Sequence, residues 1–247
     1  MRISRVTPWR ACGLAVVVSI ASIPPLALAN DFDLPVSTVS SGGDADPAPY
    51  EEDDPRFYDE ALPEQSDSVI YVVDRSASMS LPVEPFLGLD GNVVQNGTRL
   101  DYVKTELKRS ISALPEDYTF NIVVYDECVE QWRPERQRAS AENKAAAMGW
   151  LDTIVPWGWT NTGGATAQAL GDRDNQVILL LSDGAPNFLD CAQTYVADFE
   201  THRRVIRSAN SQQAIVNTFG LGLDPETRSF LAEVARDNDG TFREIGQ

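Results

Sequence analysis

The sequence predicts an α/β fold: a doubly wound, mostly parallel six-stranded sheet with one antiparallel edge strand and helices on both faces. Short apolar runs alternate with segments of helical periodicity, which is typical of parallel sheets covered on both sides. Two of the runs, 69–73 and 177–181, contain no charged residue, as expected of strands buried at the centre of a sheet. The predicted strands are 69–73, 118–125, 128–132, 177–181, 214–221 and 241–245.

Helical periodicity is clearest over 99–113, where apolar residues recur three or four positions apart. Thr98 and Asp101 resemble a capping box at the start of this helix. A second helix is predicted to follow Ser140 as its cap and to run to about Ile154. The residues expected on its inner face are Ala145, Met148 and Leu151.

Two further helices are predicted in the second half of the chain. The first has its apolar residues on one face over 195–209, and His202 lies on that face. A single His among apolar residues is more often a core residue than a ligand, so His202 is interpreted as packing. The second helix begins with Asp224 as its cap and Pro225 at its first position.

Residues 1–29 are typical of a secretory signal peptide, with a basic start, an apolar stretch and a small-x-small cleavage site at Ala27-Leu28-Ala29. An uncleaved membrane anchor is the alternative. It is disfavoured because Pro24-Pro25 interrupts the apolar stretch before the ~18 residues that a spanning helix needs. We expect an exported protein that is periplasmic, secreted or at the cell surface, with no stable membrane insertion after cleavage.

Residues 30–65 are rich in Pro, Gly and acidic side chains. Such a segment buries too little apolar surface to offset its ordering entropy, so we predict a disordered linker before a single domain, 66–247. A calcium-binding acidic tail is the alternative, but its acids lack the spacing of an EF-hand loop. The net charge of −17 argues against nucleic acid as a partner.

Oxygen-bearing side chains occupy alternate positions where the run 69–73 ends, at Asp74, Ser76 and Ser78. Open α/β sheets bind ligands at the carboxyl ends of their strands. Mg²⁺ prefers six oxygen ligands and usually keeps several waters, so one turn of chain would supply half of its shell. Asp and Ser are also common in ordinary turns and helix caps, and this motif alone leaves both interpretations open.

Two later stretches favour a metal site. The loop 159–165 is polar and Gly-rich, and the run 177–181 is followed by Ser182 and then Asp183-Gly184. An Asp-x-Ser-x-Ser loop, a Thr-x-Thr-Gly loop and an Asp-Gly turn, in this order, resemble a von Willebrand factor type A (vWA) domain with a metal-ion-dependent adhesion site. The resemblance covers about residues 66–247 and implies a Rossmann-like fold.

The resemblance also implies a role for each residue of the site. Ser76 and Ser78 would be direct hydroxyl ligands of Mg²⁺ or Mn²⁺. Asp74 and Asp183 would act mostly through bound water. Thr160 would bind the metal directly or through water, depending on the conformational state.

Two points of the match stay open. Thr162 is the alternative to Thr160 if the register of that loop differs. Ala77 stands where many members of the family have Gly between the two serines. If the backbone there requires a positive φ, Ala would cost about 1 kcal/mol or more.

Three features near the site are less specific. The insertion 80–98 contains Asp90-Gly91 between apolar residues, which predicts a hairpin and a small β-ribbon beside the metal. The tryptophans around the Thr160 loop would either pack beneath it or contact a partner, with packing favoured for Trp150 and exposure for one of Trp157 and Trp159. Cys128 and Cys191 are free to form a disulfide in an exported protein, but the sequence does not decide whether they do.

The site is predicted to bind a ligand and not to catalyse a reaction. The single His has no nucleophile elbow to act on, and Mg²⁺-dependent hydrolases normally surround the metal with directly bound carboxylates. Family members use the partly unsatisfied ion to bind an Asp or Glu carboxylate of a protein partner, which is the function expected here. The alternatives are a structural subunit or scaffold of an envelope assembly, whose metal loop stabilises the fold, and a Mg²⁺-dependent phosphohydrolase.

Overall fold

The computed structural model describes residues 55–63, 66–192 and 194–246. The predicted signal peptide, 1–29, and most of the predicted linker lie outside the described residues. Within the part that the structure describes, every helix is too short or too polar to cross a membrane.

The described residues form strands, helices and one 3₁₀ helix, numbered here in chain order. The strands are β1 (Arg56–Phe57), β2 (Glu60–Ala61), β3 (Ser68–Asp74), β4 (Phe86–Leu87), β5 (Val93–Val94), β6 (Thr119–Tyr125), β7 (Val129–Gln131), β8 (Gln137–Arg138), β9 (Val177–Ser182), β10 (Ile215–Leu221) and β11 (Phe242–Ile245). The helices are α1 (Arg99–Ala113), α2 (Ala141–Thr153), α3 (Thr162–Ala169), α4 (Phe199–Ala209) and α5 (Pro225–Arg236). The 3₁₀ helix is Ala77–Ser80.

The main sheet has the order β11-β10-β9-β3-β6, and all of these strands run parallel. Its outer edge beyond β6 is antiparallel, as predicted, but two short strands, β7 and β8, share that edge where one was expected. The predicted doubly wound α/β fold is confirmed. Its two central strands, β3 and β9, are buried along their whole length.

Helices cover both faces of the sheet because alternate strand residues point to opposite sides. Tyr71 and Val73 of β3 belong to the core shared with α1 and α2. Ile70 and Val72 belong to the core shared with α3, α4 and α5. β3 and β9 therefore contribute side chains to both cores.

The structure corrects the predicted boundary between linker and domain. Residues 55–63 carry the antiparallel hairpin β1–β2, and Phe57, Tyr58 and Leu62 are buried in the core. Phe57 packs its ring 4.8 Å from that of Phe219. The average composition of 30–65 hides these three apolar side chains, which supply the buried surface that the rest of the segment lacks.

The predicted helices are confirmed with two local corrections. α1 has the predicted bounds and its capping box, and α5 begins after its Asp224 cap. α4 begins at Phe199 because Asp198 caps it, so the exposed Tyr195 lies outside the helix. On α2, Ala147 is buried and Ala145 is exposed, because Ala147 lies one helical turn before the buried Leu151.

The predicted ribbon in the insertion 80–98 is present. β4 and β5 pair as an antiparallel hairpin, and Gly91 in its turn has a φ of 77°. Its turn is stabilised by Asp90, whose Oδ1 accepts a hydrogen bond from the Asn92 N–H at 3.0 Å.

Candidate metal centre

The site is built at the carboxyl ends of two neighbouring strands. Asp74 is the last residue of β3, and Asp183 directly follows β9. The Asp74 carboxylate accepts hydrogen bonds from the Ser76 N–H and from the Ser182 hydroxyl, each at 2.7 Å. Both oxygens of Asp74 are therefore oriented by its neighbours.

The two serines of the motif face each other. The Ser76 and Ser78 Oγ atoms are 3.1 Å apart, and the Ser78 hydroxyl donates to Asp183 Oδ1 at 2.7 Å. Neighbouring ligands of an octahedral Mg²⁺ are about 3 Å apart, given metal–oxygen distances of ~2.1 Å. The spacing and the chemistry of these oxygens therefore fit a hard divalent cation.

Ala77 does not disturb this loop. It has no positive φ and begins the 3₁₀ helix Ala77–Ser80. The free-energy cost that Ala would have at a left-handed position therefore does not apply to Ala77. The loop reaches its shape without the Gly that is common at this position in the family.

Asp183 has a second partner that the sequence did not indicate. Its Oδ2 accepts a hydrogen bond from Arg99 Nη1 at 2.7 Å, and the two charged groups form an ion pair. Arg99 is the first residue of α1 and precedes Asp183 by 84 positions. No local pattern connects the two, so only the fold reveals the contact.

The electrostatics of the site favour a cation. Burial raises the pKa of Asp74 to about 7, with a further increase from the nearby Asp183 carboxylate. The hydrogen bonds from Ser76 and Ser182 oppose this increase. The two carboxylates repel each other when both are ionised, and a positive ion near both of them would relieve the repulsion.

The structure distinguishes the two candidate threonines. Thr160 lines the same cleft as Ser76 and Ser78. Thr162 is fully buried at the start of α3, where its hydroxyl lies 3.4 Å from the Tyr125 hydroxyl. Of the two, Thr160 is the residue that shares a surface with Ser76 and Ser78.

We call Asp74–Ser78 together with Asp183 the floor of this cleft, and the loop 157–160 its wall. Backbone hydrogen bonds join the two parts: the Ala77 N–H donates to the Gly158 carbonyl at 3.1 Å, and the Trp157 N–H donates to the Arg75 carbonyl at 2.8 Å. The cleft between them has a volume of about 740 Å³. A carboxylate alone would fill only a small part of it.

Two side chains from other segments, Glu127 and Asn187, also hold the wall. Glu127 Oε2 accepts the Trp159 N–H at 2.7 Å. It occupies the space that a Cβ on Gly158 would take, and Gly158 has a φ of 69°. Asn187 fixes Thr160 by accepting its N–H at Oδ1, at 2.9 Å, and by donating its own N–H to the Thr160 carbonyl at 2.9 Å.

A disulfide links the segments that carry these two supports. Cys128 and Cys191 are bonded, with their Cα atoms 4.3 Å apart. Cys128 directly follows Glu127, and Cys191 lies four residues after Asn187. The question that the sequence left open is thereby answered.

The three tryptophans divide between core and surface. Trp150 is partly buried and packs against the core, as expected. Trp157 is 70% exposed and Trp159 is 55% exposed. The ring of Trp159 lies 5.7 Å from that of Phe188, so the wall presents large apolar side chains beside the floor.

His202 takes no part in the floor. It is buried, its Nδ1 accepts the Gly163 N–H at 3.1 Å, and its Nε2 lies 2.8 Å from the Val196 carbonyl. Among the described residues, no group of three or more His, Cys, Asp or Glu side chains is placed to hold a metal ion. A cation on the floor would therefore depend on hydroxyl ligands.

Comparisons with known proteins identify the fold. A vWA protein from Catenulispora acidiphila superposes with a TM-score of 0.55 at 22% identity, over 76% of this chain and 40% of that one. The vWF domain of a type V pili tip protein from Porphyromonas gingivalis gives a TM-score of 0.52 at 12% identity, over 72% of this chain and 89% of that one. The fold is that of a vWA domain.

A curated relative matches most of this chain at the level of sequence. Inter alpha-trypsin inhibitor, heavy chain 4, of Mus musculus is 28% identical over 201 residues, which cover 76% of this chain and 19% of that protein. The chain thus corresponds to about a fifth of that relative's length. No protein-family model matches this chain.

Proposed function

We propose that this protein is an exported vWA-domain binding protein that captures a carboxylate of a protein ligand through Mg²⁺ or Mn²⁺. The metal would be held by Asp74, Ser76, Ser78, Thr160 and Asp183. The observation that carries the proposal is the approach of the Ser76 and Ser78 hydroxyls to 3.1 Å at the base of an open cleft. That spacing matches adjacent positions in a Mg²⁺ coordination shell.

The residues of the floor have distinct tasks in this proposal. Ser76 and Ser78 supply neutral oxygens, which leave most of the charge of the ion uncompensated. The carboxylates of Asp74 and Asp183 would balance the charge of the ion from nearby positions, in which hydrogen bonds already orient them. A metal bound in this way supplies an electrophilic position for an anionic oxygen, and the cleft gives that oxygen access.

The names of two similar proteins support binding over catalysis. One is a pili tip protein and the other is an inhibitor heavy chain, and neither name describes a small-molecule enzyme. The exposed Trp157 and Trp159 beside the floor also favour contact with a protein, because Trp is enriched at interface hot spots.

Calorimetric titration of Mg²⁺ and of Mn²⁺ into the full chain tests the proposal. We expect saturable binding in the micromolar to low-millimolar range, and its loss in Ser76→Ala. Ser112→Ala is the matched control, because Ser112 is an exposed serine of α1 whose hydroxyl donates to the Lys108 carbonyl. A folded wild-type chain that binds neither ion would contradict the proposal, and binding that survives in Ser76→Ala would place the metal elsewhere.

A further inference from the structure

We infer that Arg99 is a specificity-determining residue of the proposed metal site: its fixed positive charge weakens binding of the metal cation and strengthens binding of the anionic ligand. The inference rests on the proposed function. It concerns how tightly the site binds the metal cation and the anionic ligand. The proposed metal ligands are unchanged.

Arg99 is firmly placed at the floor. Its Nη1 donates to Asp183 Oδ2 at 2.7 Å, and the Arg99 and Asp183 side chains are 17% and 0% exposed. Arg99 is the first residue of α1, directly after the Thr98 cap, and so lies within the capping box that Thr98 forms with Asp101. The Arg99–Asp183 ion pair is largely shielded from water. The charge of Arg99 therefore acts on the site more strongly than the charge of an exposed side chain would.

A second element is shaped to accept the guanidinium. Gly222, in the loop after β10, has a φ of 62°. A Cβ at this position would overlap Arg99 Nη2. Because Gly222 has no side chain, the Arg99 guanidinium can occupy this space. The contact between Arg99 and Asp183 therefore depends on Gly222 as well.

A second arginine, Arg75, lies in the floor itself but is placed differently. Arg75 directly follows Asp74, but its guanidinium pairs with Asp126 at 2.9 Å and with Glu130 at 3.0 Å. Two acids outside the floor therefore balance its charge. Arg99, by contrast, is paired with a carboxylate that belongs to the floor itself.

The charges of the floor show what Arg99 changes. The carboxylates of Asp74 and Asp183 together balance a divalent cation, so the loaded floor would be neutral without Arg99. Arg99 leaves it with one positive charge, which a ligand carboxylate would neutralise. Glu127 lines the wall side of the cleft, but its charge is the same in the wild type and in Arg99 variants, so a comparison of these isolates Arg99.

The first test is Mg²⁺ titration of the full chain as wild type, Arg99→Gln and Arg99→Lys. We expect Arg99→Gln to bind Mg²⁺ at least about tenfold more tightly, because one charge a few ångströms from a divalent ion has that effect even in a water-like dielectric and partial burial increases it. Arg99→Lys keeps the charge and should stay near the wild type. Arg136→Gln is the matched control, because the Arg136 side chain is as little exposed as that of Arg99 and pairs with Asp172, which does not line the cleft.

The second test uses acetate as the anionic probe. With Mn²⁺ bound, acetate that displaces a metal-bound water lowers the proton relaxation rate of the solvent. We expect Arg99→Gln to need several-fold more acetate than the wild type for the same decrease. The opposite signs of the Mg²⁺ and acetate effects separate a charge role from simple damage to the site, which would weaken both.

Each outcome decides the inference. Equal or weaker Mg²⁺ binding by folded Arg99→Gln would overturn it and leave the proposed function standing. No Mg²⁺ binding by the wild type would overturn both. If Arg99→Gln does not fold, Gly222→Ala displaces the guanidinium without removing its charge from the chain. Tighter Mg²⁺ binding in Gly222→Ala supports the inference, and unchanged binding overturns it.

Discussion

The floor and the wall of the cleft are positioned in different ways. Asp74 and Asp183 lie at the ends of β3 and β9, so the backbone of the sheet fixes them. No strand ends at the wall, which instead follows α2. Its supports come from distant parts of the chain, with Glu127 32 positions before Trp159 and Asn187 27 positions after Thr160. Asp74 and Asp183 thus depend on the sheet, whereas the wall, which carries Thr160 and the exposed tryptophans, depends on contacts with distant parts of the chain.

The largest expected effect that separates the two regions is loss of the disulfide. The double variant Cys128→Ser/Cys191→Ser opens a link between residues 63 positions apart, and we expect it to lower the free energy of unfolding by about 2–4 kcal/mol. Urea denaturation measures this loss. Because the bond ties together the segments that carry Glu127 and Asn187, the wall should loosen first.

Hydrogen exchange on the same double variant shows where the loss occurs. Amides of β3 exchange through global unfolding, so their protection should fall by no more than the loss measured in urea, whereas amides of the wall, 157–160, should also open locally and lose more protection. The single variant Ser112→Ala controls for a generic surface change. Equal acceleration in β3 and in the wall would contradict the proposed difference between the two regions.

The same difference explains what could be predicted from the sequence. Asp74, Ser76 and Asp183 each follow a recognisable apolar run, so local pattern and strand order were enough to bring them together. Arg99 and Asn187 have no such signal, because their partners lie far away in the chain. The hairpin at 55–63 was missed for another reason: three apolar residues were outweighed by the acidic segment that precedes them.

A smaller effect is expected from His202, which holds the start of α3, the helix that follows the wall. Its Nδ1 accepts the N–H of Gly163, three residues after Thr160. Burial lowers the pKa of His202 below its ordinary value of 6.5, so the folded state prefers the neutral ring. Below about pH 6.5 the unfolded chain binds a proton that the folded chain resists, and stability falls as the pH decreases.

Urea denaturation at about pH 7 and about pH 5.5 measures this contribution. We expect the wild type to lose more stability than His202→Gln between the two conditions, with a difference no steeper than the limiting slope for one proton, ~1.4 kcal/mol per pH unit. Other acidic groups titrate in both proteins and cancel in the comparison. Parallel pH profiles would show that His202 is protonated equally in the folded and unfolded states.

The smallest expected effect on stability is that of Trp157→Ala. The Trp157 side chain is 70% exposed, and the hydrogen bond from its N–H to the Arg75 carbonyl does not need the ring. We expect the free energy of unfolding to change by no more than about 0.5 kcal/mol and Mg²⁺ binding to stay the same. Trp150→Ala is the matched control, and it should cost more because Trp150 packs against the core.

The comparison of these two variants decides what the exposed ring does. A loss above about 1 kcal/mol for Trp157→Ala would mean that the ring holds the wall in place, and the contrast between floor and wall would weaken. An unchanged stability would mean that folding does not require a large apolar side chain at this position. Recognition of a partner beside the metal would then be the role left for Trp157, because large apolar groups kept in water next to a polar site are typical of interaction surfaces.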